Sequence, residues 1–328
     1  MNWRTEIGEI NLPLQIDHST SCLLLGSCFA ENIGTKLKRG KFLSNTNPTG
    51  ITYNPISLLK HLTLAVGQND ISEQELKQRD NTYVHLDFHS QFSDVNRSVC
   101  IDNIRSAVKR LSDQLETAAV IFISLGSCIV FKEKRTDSVV ANCHKLTSSL
   151  FEKYLLSQQE TDQSVAQIVA AIKQFNPSTA IVFTVSPVRH SRHGLQRDNR
   201  SKAQLISAVH KTIDAHTHCH YFPSYEIMKD DLRDYRFYTE DLIHPSQQAI
   251  EYIWTCFTIS CMSSETRIKI KEIEKLMKQI EHRFLTTNKQ DQISALEKLR
   301  ALLIANKLKE RFSTEIDDIT SKLNTLDF

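Results

Sequence analysis

The chain has 328 residues, enough for one large domain and an appendage, with 40 Lys and Arg against 38 Asp and Glu and a formal net charge of +2. That near balance argues against a nucleic-acid partner, whose binders carry a strongly basic domain or face. No apolar run approaches the roughly 20 residues that span a bilayer, which argues against a membrane partner. Two glutamates interrupt the first ten residues, so they lack the apolar stretch of a secretory signal. Eight cysteines stand at 22, 28, 100, 128, 143, 219, 256 and 261 without a C-x-x-C pair, and Cys22, Cys128 and Cys256 sit in apolar runs as buried thiols do. The expectation is a cytoplasmic protein with no disulfide framework.

Up to Pro245, apolar runs alternate with helical periodicity. Cys22–Leu25 predicts a short buried strand, and Phe29, Ile33 and Leu37 then share one face of a helix. Gln68–Ser98 is polar, with His85, Asp87 and His89 alternating around Leu86 and Phe88, and predicts an insertion or small hairpin. A helix bearing Ile104, Val108 and Leu111 precedes a second strand at Ala118–Leu125. Phe131–Ala141, polar between apolar pairs, predicts a hairpin that holds Asn142–His144 over a site. Val165, Ile168, Val169, Ile172 and Phe175 mark the helix before a third strand at Ala180–Val185. Ser201–Thr217 reads as a helix leading to a strand near Cys219–Phe222, and Gln247–Phe257 as another helix. Strands alternating with helices predict an α/β fold, a doubly wound parallel sheet flanked by helices, with ligands at the carboxyl ends of the strands. Ser27, Gly126 and Ser186 all fall at such ends.

Beyond Pro245 the chain contains neither glycine nor proline, a shift toward uninterrupted helix. Ile273, Leu276, Met277, Ile280 and Phe284 form one apolar stripe, and Ile293, Leu296, Leu299, Leu303 and Leu308 a second, after a polar turn around Thr286–Gln290. Phe312, Ile316, Ile319, Leu323 and Leu326 alternate by four and three, a heptad seam. Such stripes bury against their own domain, against each other, or against a second copy as a homo-oligomer. The chain thus divides into an α/β domain over residues 1–262 and an all-helical extension over 263–328, for packing or oligomerisation.

Two short segments carry the chemistry. Leu24–Ala30 runs a buried strand into a Gly-Ser turn and a helix, which presents Ser27 at the amino end of that helix. Asp241–Pro245 places an acid three residues before His244, close enough for a local turn to set the carboxylate on the imidazole. A serine nucleophile needs a base, and the base needs an orienting group. Ser27, His244 and Asp241 supply the three. Cys28 is the rival nucleophile, although Phe29 and the apolar flanks favour a packed thiol that lacks the electropositive contact a catalytic one needs. Arg189 and His190, after the third strand, and His144 in the Asn-Cys-His-Lys stretch are candidates for binding a polar or anionic substrate. His216, His218 and His220 are of metal-ligand type, but His216 belongs to the helix before the strand and no further close ligand set is evident. Neither a Gly-x-x-x-x-Gly-Lys nor a Gly-x-Gly-x-x-Gly cradle occurs. The expectation is no metal and no cofactor.

Gly26-Ser27-Cys28-Phe29-Ala30, followed by Glu31–Gly34, Asn47–Gly50, Ala141–Lys145, Ser186–His190, Leu232–Tyr238 and the Asp241/His244 pair, resembles the GSCFA family, a bacterial branch of the SGNH-type hydrolases. The resemblance covers roughly the first 260 residues, and it implies an SGNH-hydrolase-like, flavodoxin-like sandwich. It also implies an oxyanion hole made by the Ser27 N–H, the Gly50 N–H and an asparagine. Cys128 stands where that asparagine is expected, and Asn142 is the candidate replacement, since an amide –NH2 can donate. The expected activity is that of a metal-independent serine acyl-ester hydrolase that removes a small acyl group from a polar small-molecule or carbohydrate carrier. The alternative is a non-catalytic binding or scaffolding protein on a retained hydrolase fold, working through its helical tail.

Overall fold

The computed structural model describes residues 5–67, 71–281 and 288–326. Its strands in chain order are β1 (Ser21–Gly26), β2 (Leu43–Thr46), β3 (Lys77–Arg79), β4 (Thr82–Val84), β5 (Val120–Leu125), β6 (Ile129–Glu133), β7 (Ser138–Val140), β8 (Phe151–Leu155), β9 (Ala180–Val185) and β10 (Cys219–Tyr221). The helices are α1 (Cys28–Arg39), α2 (Pro55–Gly67), α3 (Arg97–Thr117), α4 (Gln158–Phe175), α5 (Leu195–Ala215), the single turn α6 (Ser224–Glu226), α7 (Gln247–Cys261), α8 (Ser264–Glu281), α9 (Lys289–Ala305) and α10 (Ser313–Leu326).

Five strands pair in the order β10-β9-β5-β1-β2, every pair parallel. Among these sheet strands alone this is the flavodoxin-like order 2-1-3-4-5, whose direction of winding reverses between β1 and β5. The alternation of side chains along a strand explains the two layers around it. Leu23, Leu25, Ile121, Ile123, Ile181 and Phe183 face one way and pack with α2, α3, α4 and α5. Cys22, Leu24, Val120, Phe122 and Val182 face the other and pack with Phe29, Ile33 and Leu37 of α1 and with Ile253, Trp254 and Phe257 of α7. The α/β reading is therefore correct, with both faces of the sheet covered by helices.

Two small sheets stand outside this frame. The polar Gln68–Ser98 stretch contains the hairpin β3–β4, and the hairpin expected at Phe131–Ala141 is β6–β7, joined on the free edge of β6 by β8. Gln68 at the start of the first stretch, Phe284, and Thr286 in the turn expected before α9 lie outside the described residues.

The tail helices bury their stripes on one another. Ile273, Leu296, Leu299, Leu303, Phe312, Ile319 and Leu323 form a core of their own, with Leu276, Met277, Ile280, Ile293, Leu308, Ile316 and Leu326 packed against it. The tail also grips the α/β layer just past α1. Lys41 Nζ donates to Glu315 Oε1 at 2.5 Å and lies 4.7 Å from the centre of the Phe312 ring, and Arg311 Nη1 donates to the Lys41 carbonyl at 2.7 Å. Arg39 pairs with Glu281 at 2.6 Å. Among the described residues no helix is long and apolar enough to cross a membrane, and all eight cysteines are free thiols.

Candidate active site

Ser27 sits at the carboxyl end of β1, at the point where the sheet order reverses, and forms the N-cap of α1. Gly26 makes this position possible. Its φ is +121°, and an added Cβ would lie 2.1 Å from the Ser124 carbonyl oxygen, so only glycine lets β1 turn this close to β5. The Ser27 side chain is buried. Its Oγ is hydrogen-bonded to Ser124 Oγ at 2.8 Å and accepts from the Phe29 N–H at 3.2 Å. The neighbouring Cys28 thiol has its pKa raised by burial, with no cationic group to oppose it, so it has the character of a packed thiol.

Asp241 and His244 lie together on an exposed turn. Asp241 Oδ2 accepts from His244 Nδ1 at 2.7 Å, while Oδ1 accepts from the Thr239 hydroxyl at 2.6 Å and from the backbone N–H groups of Ile243 at 2.8 Å and His244 at 3.0 Å. The Thr239 hydrogen bond, followed by those from His244 and Ile243, holds the Asp241 carboxyl well below the usual carboxylate range. An ionised carboxylate only accepts, so Nδ1 must carry the ring proton, which leaves Nε2 as the acceptor of the neutral imidazole. Leu242, between the two, has a φ of 56°, a conformation non-glycine residues seldom hold outside constrained sites. The Arg189 N–H donates to the Ile243 carbonyl at 3.1 Å and ties this turn to the loop after β9. The structure brings Asp241 to His244, but among the described residues no hydrogen bond joins His244 to Ser27.

The three expected oxyanion donors are placed unequally. The Ser27 N–H donates to the Ser124 carbonyl at 3.0 Å and the Gly50 N–H to the Asn47 carbonyl at 2.8 Å. The backbone N–H of Asn142 donates to the Leu86 carbonyl and its Oδ1 accepts from the His144 N–H at 2.8 Å, so its –NH2 is the donor with no hydrogen bond among the described residues. His144 is buried, with Nε2 hydrogen-bonded to the His85 carbonyl at 2.8 Å, and it braces the Asn142 segment against the polar insertion. His190 leans on the Tyr53 ring at 4.9 Å between centroids, and Gly126 leaves room for both, since an added Cβ would lie 3.0 Å from Tyr53 Cβ and 3.2 Å from His190 Nε2. Arg189 has its guanidinium 4.1 Å from the Tyr238 ring centre and 5.5 Å from that of Tyr235.

Several residues here escaped the sequence reading. Ser124 is the partner of Ser27, and its one signal is a hydroxyl inside an otherwise apolar strand. Burial raises the Tyr53 pKa. Asn47 braces β1 against β2: Oδ1 accepts from the Gly26 N–H at 2.8 Å and Nδ2 donates to Glu31 at 2.7 Å. Beneath its loop, His61 Nδ1 bonds the Thr49 hydroxyl at 3.0 Å and Nε2 the Asp87 carbonyl at 2.5 Å. For His216, His218 and His220, no group of three or more His, Cys, Asp or Glu side chains that could hold a metal ion occurs among the described residues.

The fold and this edge define an α/β protein with a flavodoxin-like strand order and a buried serine where that order reverses. The model of the GSCFA family matches residues 21–257, from the first residue of β1 into α7, and the chain belongs to that family. No curated protein matches it.

Proposed function

We propose that the protein is a metal-independent serine hydrolase of SGNH type, which cleaves small acyl esters of a polar carrier through an acyl-enzyme at Ser27. Ser27 Oγ attacks the ester carbonyl carbon, and its proton passes to His244 Nε2 while Asp241 holds the imidazolium. The tetrahedral oxyanion forms at the amino end of α1, where the helix dipole and the Asn142 –NH2 stabilise it. The carrier alcohol leaves with the proton from His244. Water, deprotonated by the same ring, then releases the carboxylic acid and restores Ser27. The Asp241–His244 pair carries this reading, because four hydrogen bonds fix one carboxylate so that a single imidazole tautomer faces outward. The Ser27–Ser124 bond can run either way, and where Ser124 donates, the Ser27 hydroxyl proton is free for His244 when substrate enters. Free thiols throughout the chain support a cytoplasmic setting.

The present partners of Ser27 also favour the second reading, a non-catalytic binding protein on this fold, since its hydroxyl engages Ser124 and not His244. A fluorophosphonate probe separates the two. The hydrolase is labelled in excess EDTA and loses labelling in Ser27→Ala. No labelling of folded wild type, or labelling that survives Ser27→Ala and vanishes in Cys28→Ala, sinks the serine mechanism.

A further inference from the structure

We infer that the cleft between the loop after β9, the first turn of α5 and the Tyr235–Tyr238 turn is a binding site for a neutral, hydroxyl-bearing ligand such as a pyranoside. The cleft has a volume of about 80 Å³, and Arg189, Leu195, Asp198, Asn199, Tyr225 and Tyr235 are among the residues that line it. Asp198 is only 3% exposed, yet its Oδ1 has no hydrogen-bond partner. A buried acceptor in that state costs roughly 1–3 kcal/mol, more if charged, until a donor arrives. The cleft therefore calls for a ligand that donates.

Charge narrows the class. Two tyrosine rings and a carboxylate would form a cage for an organic cation, but the Arg189 guanidinium already lies over one face of each ring and would repel it. The buried Lys202, whose Nζ donates to the Ser186 carbonyl at 2.7 Å, is a positive group one turn along α5 from Asp198, and Lys229 in the lining is a third. A cation would meet all three. An anion would meet the Asp198 carboxylate, whose like charge repels it. A hydroxyl donates to Asp198 and accepts from Arg189 or Asn199 without either penalty.

Size and shape agree. The volume holds about two or three waters at their liquid share of about 30 Å³, room for hydroxyl groups but not for a sugar ring or an acyl chain. The ring would lie at the mouth, where Tyr235 is 64% exposed and offers a flat apolar face beside polar groups. Arg189 joins this cleft to the His244 turn through Ile243. As the carrier subsite of Ser27 the cleft rests on the hydrolase reading; as a binding site it does not.

The test uses the full chain carrying Ser27→Ala and a panel of methyl glycosides of glucose, galactose, mannose, xylose and N-acetylglucosamine, with saturation-transfer NMR as readout. At least one glycoside should bind in the millimolar range, and Tyr235→Ala and Asp198→Asn should each weaken it by about 10-fold, the loss of one stacking face or one hydrogen-bonded acceptor. Inorganic phosphate and tetramethylammonium should not displace it. The inference is overturned if no glycoside binds, if both variants bind as well as the parent, or if phosphate or tetramethylammonium takes the cleft. Tyr235 is on the surface, so its variant decides the matter even if Asp198→Asn fails to fold. Glycoside binding without fluorophosphonate labelling of wild type would keep the site and remove the hydrolase; labelling without glycoside binding would do the reverse.

Discussion

Two hydroxyls share one hydrogen bond at the carboxyl edge of the sheet, and in the proposed mechanism the Ser27 proton is available to His244 when Ser124 is the donor. Ser124→Ala removes the alternative acceptor for that proton. Fluorophosphonate labelling of Ser27 should proceed at an equal or faster rate, while stability falls by about 1 kcal/mol for the lost buried bond. A collapse of labelling in a folded Ser124→Ala would make Ser124 part of the proton path. At the proposed base, Thr239 supplies the largest part of the depression of the Asp241 pKa. Thr239→Val should therefore raise the Asp241 pKa, read by carboxyl NMR titration, toward the free value of about 3.9, and leave the group ionised at neutral pH. Its turnover should exceed that of Asp241→Asn, which loses the imidazolium's charge partner and should fall by about 10²-fold or more. Since Asp241 is still ionised in mild acid, activity lost there does not report protonation of Asp241.

At the scale of elements, burial decided what the sequence could reveal. β1, β5 and β9 are apolar runs because helices cover both faces, and their ends put Ser27, Gly126 and Ser186 at the ligand edge. β2, Leu-Ser-Asn-Thr, was not legible, because an edge strand with exposed residues has no apolar pattern to show. β8 escaped for the same reason, with exposed Glu152 and Lys153 in its middle. The Asp241/His244 pair was legible because it is local in sequence. The pairing of Ser27 with Ser124 was not, since it depends on which strand lies beside β1. Its geometric condition is Gly26, and Gly26→Ala should cost about 3 kcal/mol from the left-handed φ and the clash with the Ser124 carbonyl, measurable as a lower denaturation midpoint. The polar insertion and the two rings bonded to it give a different signal. Burial lowers the pKa values of His61, His85 and His144, so these rings stay neutral in the fold when the unfolded chain has already taken up protons. Their contribution to stability is whole above the unfolded value of about 6.5 and declines as pH falls below it. The melting temperature should drop between about pH 7 and pH 5, and a flat profile there would mean that these rings accept protons inside the folded protein.

For the whole molecule, the open question in the sequence was what covers the tail's apolar stripes. A period-seven pattern states that a seam exists but not whose helix fills it. Here α8, α9 and α10 fill it for one another, and the assembled unit is clamped to the end of α1 by Lys41, Glu315 and Arg311. The clamp holds the opposite end of the helix that Ser27 caps, so the tail can stabilise the site without touching it. Replacing Leu323, which is 5% exposed within that core, by Lys buries an unpaired charge and should cost about 3 kcal/mol. Glu315→Ala, which breaks a partly buried ion pair and keeps the core, should cost less, about 1–2 kcal/mol, between an exposed pair and a fully buried one. Sedimentation should give the same mass for both variants as for wild type, because the stripe they disturb is satisfied within a single chain. Fluorophosphonate labelling of Ser27 should persist in each at temperatures where it is folded. If Leu323→Lys instead halves the sedimentation mass while leaving the melting temperature of the α/β layer intact, the seam is shared between copies, and the tail joins two molecules in solution.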